Sequence, residues 1–127
     1  MATQAVAAVP PAPKLPADAY FLMDATTEQV LVDHNGDLSL PPASLTKIMT
    51  SYVLAEEVDA GRASLDDMIK VSRNAWSQNP AFRGSSLMWI EPGKPVSLGD
   101  LERGEVLSSG TDASVAVAER LAGAEPR

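Results

Sequence analysis

The sequence predicts an α+β fold in which a β-hairpin precedes several helices, and three patterns lead to that prediction. Two short apolar runs, 19–24 and 29–33, flank the polar turn 25–28, as expected for an antiparallel hairpin. From residue 44 onward, apolar residues instead recur at three- and four-residue spacing, which is the period of a helix face. No further strand is evident after the hairpin, so we expect a helical region with little sheet of its own.

Local signals predict where the hairpin ends and where the first helix begins. Asn35-Gly36 predicts a tight turn, and Pro41-Pro42 predicts an extended approach that a helix cannot occupy. We expect the first helix to run from about Ser44 to a stop at Gly61. The residues of its predicted apolar face are Leu45, Ile48, Met49, Tyr52 and Ala55.

The later part of the chain predicts shorter helices separated by loops. The segment 65–72 is ambiguous, and Asn74-Ala75-Trp76 is expected to open a short helical piece. Ser97 is the predicted N-cap of the next helix, because serine side chains accept hydrogen bonds from the first free N–H groups. The loop 108–110 ends that helix, and an alanine-rich helix is expected over 112–123.

Composition narrows the possible functions. The formal net charge of −7 disfavours a nucleic-acid-binding surface, which is usually basic. The chain has no cysteine, which excludes disulfides, thiolate nucleophiles and cysteine-based zinc sites. Its one histidine, His34, lies in a predicted turn, so a metal site with two histidines is impossible and a Ser-His-Asp triad would have to use His34. No apolar run reaches the length of a membrane span.

Residues 1–18 are predicted to form a flexible tail rich in proline and alanine, followed by one folded region over 19–127. The tail carries no charge before Lys14, and it lacks the basic start and the long apolar stretch of an intact signal peptide. Two interpretations stay open. The tail is either the mature N-terminus left after signal cleavage or a plain disordered extension.

Ser44-Leu45-Thr46-Lys47 is the first candidate site. Helix positions three apart share a face, so Lys47 is expected beside Ser44 at the helix start. A serine hydroxyl needs a nearby base to act as a nucleophile, and a lysine can serve when burial keeps its amine neutral part of the time. Free N–H groups at the helix N-terminus would favour an anionic intermediate. The alternative is a capping serine followed by a solvated lysine.

Ser108-Ser109-Gly110-Thr111-Asp112 is the second candidate site. A hydroxyl on a loop between two helices can reach a neighbouring site and relay a proton. The alternative is an ordinary connection between helices, because these residue types favour loops and N-caps.

The segment 41–50 resembles the active-site segment of low-molecular-mass penicillin-binding proteins that have D-alanyl-D-alanine carboxypeptidase activity. The resemblance continues in order through 74–76, 82–90 and 109–116, and it extends over about 20–123. Agreement of several segments in the same order is far more specific than either short motif alone.

The resemblance implies the fold of β-lactamases and penicillin-binding serine transferases, with helices packed on an antiparallel sheet that is largely missing here. It implies that Ser44 is the acylated nucleophile, that Lys47 is its general base, and that Ser109 assists proton transfer to the leaving group. It implies removal of the terminal D-alanine from muropeptides, acylation by β-lactam antibiotics, no metal or organic cofactor, and a bacterial periplasmic location.

The chain departs from the family pattern at three points. It has no Lys-Thr-Gly element, so 19–127 is expected to be the N-terminal portion of the catalytic domain, ending before that strand. Thr111 stands where the family has asparagine, which replaces an amide with a short hydroxyl. Glu102 and Glu105 stand where the family is usually apolar, and a buried carboxylate without a partner would be costly there.

Three functions therefore remain in competition. The first is a serine-type D-alanyl-D-alanine carboxypeptidase, and the second is a catalytically inactive truncated or relic fragment of one. The third is a serine β-lactamase of the related fold. The segment 82–90 disfavours the β-lactamase, because it resembles the carboxypeptidases, and no glutamate that would activate a deacylating water can be placed from the sequence.

Overall fold

The computed structural model describes residues 11–122, so the first ten residues of the predicted tail lie outside the described range. The chain divides into two units, Met1–Pro41 and Pro42–Arg127, and each is described by itself. The strands and α-helices are, in chain order, β1 (Tyr20–Met23), β2 (Val30–His34), α1 (Thr46–Asp59), β3 (Met68–Lys70), β4 (Pro95–Ser97), α2 (Leu98–Ser108) and α3 (Thr111–Ala122). Within the described range, no helix combines the length and the apolar character needed to cross a membrane.

The first unit contains the predicted hairpin. Strands β1 and β2 pair antiparallel, with Tyr20 opposite His34, and the rings of these two residues stack with centroids 4.8 Å apart. In the connecting turn, hydrogen bonds from Thr27 and Thr26 hold the pKa of the Asp24 carboxyl below its ordinary value. Asn35 adopts a left-handed backbone with φ of 52° in the turn after β2, which confirms the tight turn predicted there.

The second unit begins with a single 3₁₀ turn, Ala43–Leu45, that leads directly into α1. The predicted helix is confirmed, and the chain leaves it at Gly61, whose φ of +69° is a backbone conformation that glycine adopts without strain. The predicted apolar face is not buried within the described residues, since Ile48 is 67% exposed and Met49 is 61% exposed. Leu54 is the fully buried residue of α1, because α1 turns that side toward the core.

The expectation that no strand follows the hairpin is wrong. Strands β3 and β4 form a second antiparallel pair, with Ile69 opposite Val96. Each strand has three residues, which is too short for an alternating pattern to stand out in the sequence. The pairing is extended by the N–H of Leu98, which donates to the carbonyl of Asp67 at 2.9 Å.

The prediction of a short helix beginning at Asn74-Ala75-Trp76 is also wrong, because this segment forms turns. The Ser72 hydroxyl accepts a hydrogen bond from the N–H of Ala75 at 3.0 Å, and the Asn79 amide donates to the carbonyl of Asn74 at 2.7 Å. These side-chain bonds satisfy backbone groups that a helix would otherwise have paired.

Helices α2 and α3 pack against each other and contribute much of the core. The Ser97 hydroxyl accepts a hydrogen bond from the N–H of Asp100 at 3.0 Å, which confirms the predicted N-cap. Ser109 ends α2 in a left-handed conformation, and α3 then begins at Thr111. The predicted end of α3 at Gly123 lies outside the described residues. The buried apolar core includes Leu54, Val71, Ala75, Phe82, Ile90, Leu98, Leu101, Ala113, Ala116 and Val117.

Candidate active site

Ser44, Lys47 and Ser109 lie together in the structure. Ser44 occupies the 3₁₀ turn before α1, Lys47 lies in the first turn of α1, and Ser109 is the residue that caps the end of α2. The Ser109 hydroxyl donates to the Ser44 hydroxyl oxygen at 2.9 Å. The Lys47 amine lies 3.4 Å from the Ser44 hydroxyl oxygen, 3.2 Å from that of Ser109 and 2.8 Å from the Ser109 carbonyl. The two sequence candidates thus form one cluster of two hydroxyls and an amine.

Two residues at the cluster adopt left-handed backbone conformations. Ala43 has φ of 48° just before Ser44, and Ser109 itself has φ of 53°. Such conformations cost of order 1–3 kcal/mol for residues other than glycine, so the surrounding contacts must hold them in place. The N–H of Leu45 donates to the carbonyl of Pro42 at 3.1 Å, and the Thr46 hydroxyl donates to the carbonyl of Ala43 at 3.0 Å. These bonds set the position from which the Ser44 side chain projects.

Asp112 has a structural role that the sequence analysis did not assign. Its carboxylate is fully buried at the start of α3 and accepts four backbone hydrogen bonds. One oxygen accepts from Met88 at 2.8 Å and from Ala113 at 3.0 Å, and the other accepts from Trp89 at 2.9 Å and from Ile90 at 3.1 Å. The carboxylate therefore ties the segment 88–90 to the turn that carries Ser109. The only sequence signal was an acid in the first turn of a helix.

Two glycines let the same segment approach the site closely. A Cβ atom at Gly104 would overlap the Met88 side chain, and one at Gly110 would lie 3.0 Å from the Met88 Cβ and 3.1 Å from its backbone nitrogen. Met88 is thus seated between the end of α2 and the start of α3. Gly104 and Gly110, which have no side chain, supply the space for it.

Ser44 and Lys47 face two cavities of different character. The first has a volume of about 700 Å³ and an apolar wall that includes Leu45, Ile48 and Val106. The second has a volume of about 520 Å³. Its wall is rich in hydroxyl groups, from Thr46, Thr50, Ser85, Ser86, Thr111 and Ser114.

Among the described residues, Glu105 is the acid that lines the first cavity. The residue is only 3% exposed, and its Oε1 atom has no hydrogen-bond partner among the described residues. Burial raises the pKa of the Glu105 carboxyl, while the nearby hydroxyls of Ser114 and Ser51 and the charge of Lys47 oppose that rise. Glu102 is only half-buried, so the costly burial foreseen for the two acids applies to Glu105 alone.

Thr111 lies in the wall of the second cavity. Its N–H donates to the carbonyl of Ser86 at 2.9 Å, so its backbone joins α3 to the segment before Met88. Within residues 11–122, no group of three histidine or acidic side chains lies close enough together to hold a metal ion.

Comparison with known proteins assigns the family. A family profile described as D-alanyl-D-alanine carboxypeptidase matches residues 4–127. The chain belongs to the D-alanyl-D-alanine carboxypeptidase family. A relative within it, D-alanyl-D-alanine carboxypeptidase DacD from Salmonella typhimurium, is 47% identical over 128 residues, which cover 100% of this chain and 33% of the relative. The chain therefore spans about a third of the length of that carboxypeptidase.

Solved structures of penicillin-binding proteins share the fold. Penicillin binding protein 6B from Escherichia coli matches with a TM-score of 0.73 and 46% identity over 91% of this chain and 36% of that chain. Penicillin-Binding Protein D2 from Listeria monocytogenes, solved with ampicillin bound, matches with a TM-score of 0.66 and 26% identity over 90% of this chain and 43% of that chain. These matches confirm the predicted fold class and the resemblance to the carboxypeptidase family.

Proposed function

We propose that this chain carries the nucleophile and the base of a serine-type D-alanyl-D-alanine carboxypeptidase, which removes the terminal D-alanine of peptidoglycan peptides. The observation that carries the proposal is the cluster in which the Ser44 hydroxyl oxygen lies 2.9 Å from that of Ser109 and 3.4 Å from the Lys47 amine. An activated serine needs a base within hydrogen-bond reach and a third group that orients the pair. Family membership supports the same reaction class.

In the proposed acylation step, the Ser44 oxygen attacks the carbonyl carbon of the peptide bond between the two D-alanines. The Ser44 proton passes to the uncharged form of the Lys47 amine as the new C–O bond forms. The C–N bond then breaks, and the departing amine of D-alanine receives a proton. Ser109 is suited to relay that proton, because its hydroxyl contacts both Ser44 and Lys47.

In the proposed second step, water hydrolyses the ester on Ser44. The water loses a proton to the same group of side chains, its oxygen adds to the acyl carbon, and the Ser44 oxygen leaves and regains a proton. The products are the shortened peptide and the free enzyme. No metal or organic cofactor is needed to balance either step.

We also propose that β-lactam antibiotics acylate Ser44. Attack on the lactam carbonyl opens the ring, so the nitrogen that leaves the carbonyl stays tethered to the acyl group. The cavity wall of Leu45, Ile48 and Val106 offers an apolar surface for the side chain of such a compound. Because peptidoglycan lies outside the cytoplasmic membrane, the same proposal places the protein in the bacterial periplasm, at the cell envelope.

A second candidate is a catalytically inactive fragment of such a carboxypeptidase, which does not turn over substrate. Three observations favour it: the exposed apolar face of α1, the threonine at position 111 and the carboxyl of Glu105 in the cavity wall. Thr111 and Glu105 depart from the pattern of the family that the sequence resembles, and the apolar face of α1 is left uncovered by the described residues. This candidate predicts a folded chain that binds ligands without forming an acyl-enzyme.

Intact-mass measurement after incubation with benzylpenicillin tests both candidates. We expect one adduct on the wild type, none on Ser44→Ala, and an unchanged adduct on the control Ser108→Ala. Ser108 is a matched control because its hydroxyl donates to the carbonyl of Gly104 at 2.6 Å rather than joining the Ser44 cluster. Labelling that survives Ser44→Ala would exclude Ser44 as the nucleophile. A folded wild type without an adduct would support the inactive fragment, and rapid release of hydrolysed penicillin would support a β-lactamase.

A further inference from the structure

A small cavity, here called the Trp89 cavity, adjoins the second cavity of the candidate site. Its volume is about 370 Å³, near the lower end of the roughly 300–1,000 Å³ that is typical of small-molecule sites. Gly84 and Ser85 belong to the walls of both cavities, so the two cavities meet at these residues. Because Ser44 lines the second cavity, a ligand that reacts at Ser44 can extend past Gly84 and Ser85 into the Trp89 cavity.

Trp89 lines this cavity with its side chain largely in solvent and its backbone firmly held. The residue is 71% exposed, and its φ of 67° is a left-handed conformation that is strained for a bulky side chain. Its N–H donates to the buried Asp112 carboxylate at 2.9 Å, beside the bonds from Met88 and Ile90. Strain of this kind persists where surrounding contacts enforce it, and it is concentrated at sites that hold ligands. The fold thus keeps a large ring exposed at an energetic cost, which points to a ligand that covers the ring.

The wall of the Trp89 cavity combines apolar and polar groups. The apolar side chains are those of Pro80, Leu87 and Trp89. The polar groups are the Ser77 hydroxyl, the Gln78 amide and the Arg83 guanidinium. Gln78 and Arg83 are exposed, and no ion pair within the described part of the chain engages Arg83. These two side chains are therefore available to a ligand.

This combination favours a sugar over a simple anion. Arg83 offers only donors, and the Gln78 amide offers a donor and an acceptor. A pyranose ring presents an apolar C–H face to an aromatic ring and a rim of oxygens to such donors, and an acetamido group adds a carbonyl acceptor. An anion paired with the exposed Arg83 alone would gain little and would leave the Trp89 ring uncovered.

We propose that the Trp89 cavity binds an N-acetylated hexosamine ring of the peptidoglycan strand whose peptide reacts at Ser44. The sugar stacks on the Trp89 indole, and its oxygens accept hydrogen bonds from Arg83 and Gln78. This rests on the proposed function, since the strand that fills the cavity carries the peptide that Ser44 attacks. Peptides attached to the glycan are then preferred over free peptides.

Three probes test the proposal on the Ser44→Ala chain, which keeps both cavities but cannot be acylated. They are the disaccharide of N-acetylglucosamine and N-acetylmuramic acid without peptide, a free pentapeptide that ends in D-alanyl-D-alanine, and the two joined. The chain has two tryptophans, so 5-fluorotryptophan gives two ¹⁹F NMR resonances, which Trp76→Phe assigns. Trp76 is an internal control because it does not line the cavity.

We expect the disaccharide alone to shift the Trp89 resonance and to leave that of Trp76 unchanged. The joined probe should bind at least roughly tenfold more tightly than the free pentapeptide, because the second contact is made within one molecule. An unshifted Trp89 resonance, or a joined probe that binds no more tightly than the free pentapeptide, would overturn the proposal. So would a free pentapeptide that shifts Trp89 and loses affinity in Arg83→Gln, since the cavity would then bind a peptide carboxylate.

Substitutions at Trp89, with calorimetric titration of the joined probe, complete the test. Trp89→Gly should reduce the affinity for the joined probe to that for the free pentapeptide. Glycine adopts a φ of 67° without strain, so this variant should resist urea at least as well as Trp89→Ala, and its weaker binding cannot then be ascribed to unfolding. Leu107→Ala is the control, because Leu107 is an exposed apolar residue that lines neither cavity. A preference for the joined probe that survives Trp89→Gly would refute the role of the ring. The disaccharide response does not require a reactive Ser44, so it is measured whether or not benzylpenicillin acylates the wild type.

Discussion

Replacing Glu105 with leucine should make the folded chain more stable. At neutral pH the wild type buries a carboxyl whose Oε1 atom lacks a hydrogen-bond partner among the described residues, in a site 3% exposed. Leucine is similar in size, needs no partner, and would extend the apolar wall formed by Ile48 and Val106. Exchanging buried charged groups for apolar ones of similar volume is often stabilising.

The expected gain follows from three contributions. Removing an unsatisfied buried acceptor gains about 1–3 kcal/mol, and burying a leucine side chain in its place contributes about 1.5–3 kcal/mol. Two effects oppose this gain. The attraction between Glu105 and Lys47 is lost, and imperfect packing of the branched leucine side chain costs about 1–3 kcal/mol. We therefore expect a net increase of about 1–3 kcal/mol in the free energy of unfolding.

Urea unfolding at pH 7, followed by far-ultraviolet circular dichroism, measures this change. For a domain of 60–100 residues, each kcal/mol also raises the midpoint of thermal unfolding by roughly 4–8 °C. The matched control is Glu102→Leu, which makes the same substitution at a half-buried position and should change stability by less than about 0.5 kcal/mol. If Glu105→Leu folds and is no more stable than the wild type, the carboxyl is satisfied in solution, and this reasoning fails.

Three further predictions follow from individual contacts. First, burial raises the pKa of Glu105 above its ordinary value near 4.5, so the folded chain binds this proton more tightly than the unfolded chain. The contribution of this group to the free energy of unfolding is present below about pH 4.5 and is lost as pH rises through the raised pKa. Glu105→Gln should remove that part of the pH dependence. An unchanged profile of unfolding free energy against pH would contradict the pKa shift. Second, Asp112→Ala leaves the buried N–H groups of the segment 88–90 without their acceptor and should cost about 3–5 kcal/mol, measured by urea unfolding, whereas a loss under 1 kcal/mol would argue against the four-bond arrangement. Third, Gly104→Ala should cost about 1–3 kcal/mol because the new methyl overlaps Met88, and the cost should shrink in a Met88→Ala background; equal costs in both backgrounds would show that Met88 is not the obstacle.

Sequence patterns predicted those elements whose signals are local. The hairpin shows two apolar runs around a polar turn, and the N-cap at Ser97 and the break at 108–110 depend on neighbouring residues only. The three-residue strands β3 and β4 were missed because pairing between segments distant in the chain, rather than local preference, makes them strands.

Some residues of the candidate site were likewise predicted from the sequence, and others were not. Spacing along one helix placed Lys47 one turn from Ser44, and the resemblance to the family added Ser109. The catalytic roles of these three residues stay predictions until Ser44 labelling is measured. Asp112 was missed because its four partners are backbone groups, most of which lie more than twenty residues away in the chain.

The amino-acid sequence by itself determined the family, the order of hairpin and helices, and the start of the helix that carries Ser44, because these depend on short patterns read along the chain. Only the tertiary structure decided that the Ser109 hydroxyl lies 2.9 Å from that of Ser44, that Glu105 is buried while the apolar face of α1 is exposed, and that Met88 sits against Gly104. Burial and contact depend on which helix faces another. The hydrophobic period of a single helix identifies an apolar side but does not say what covers it.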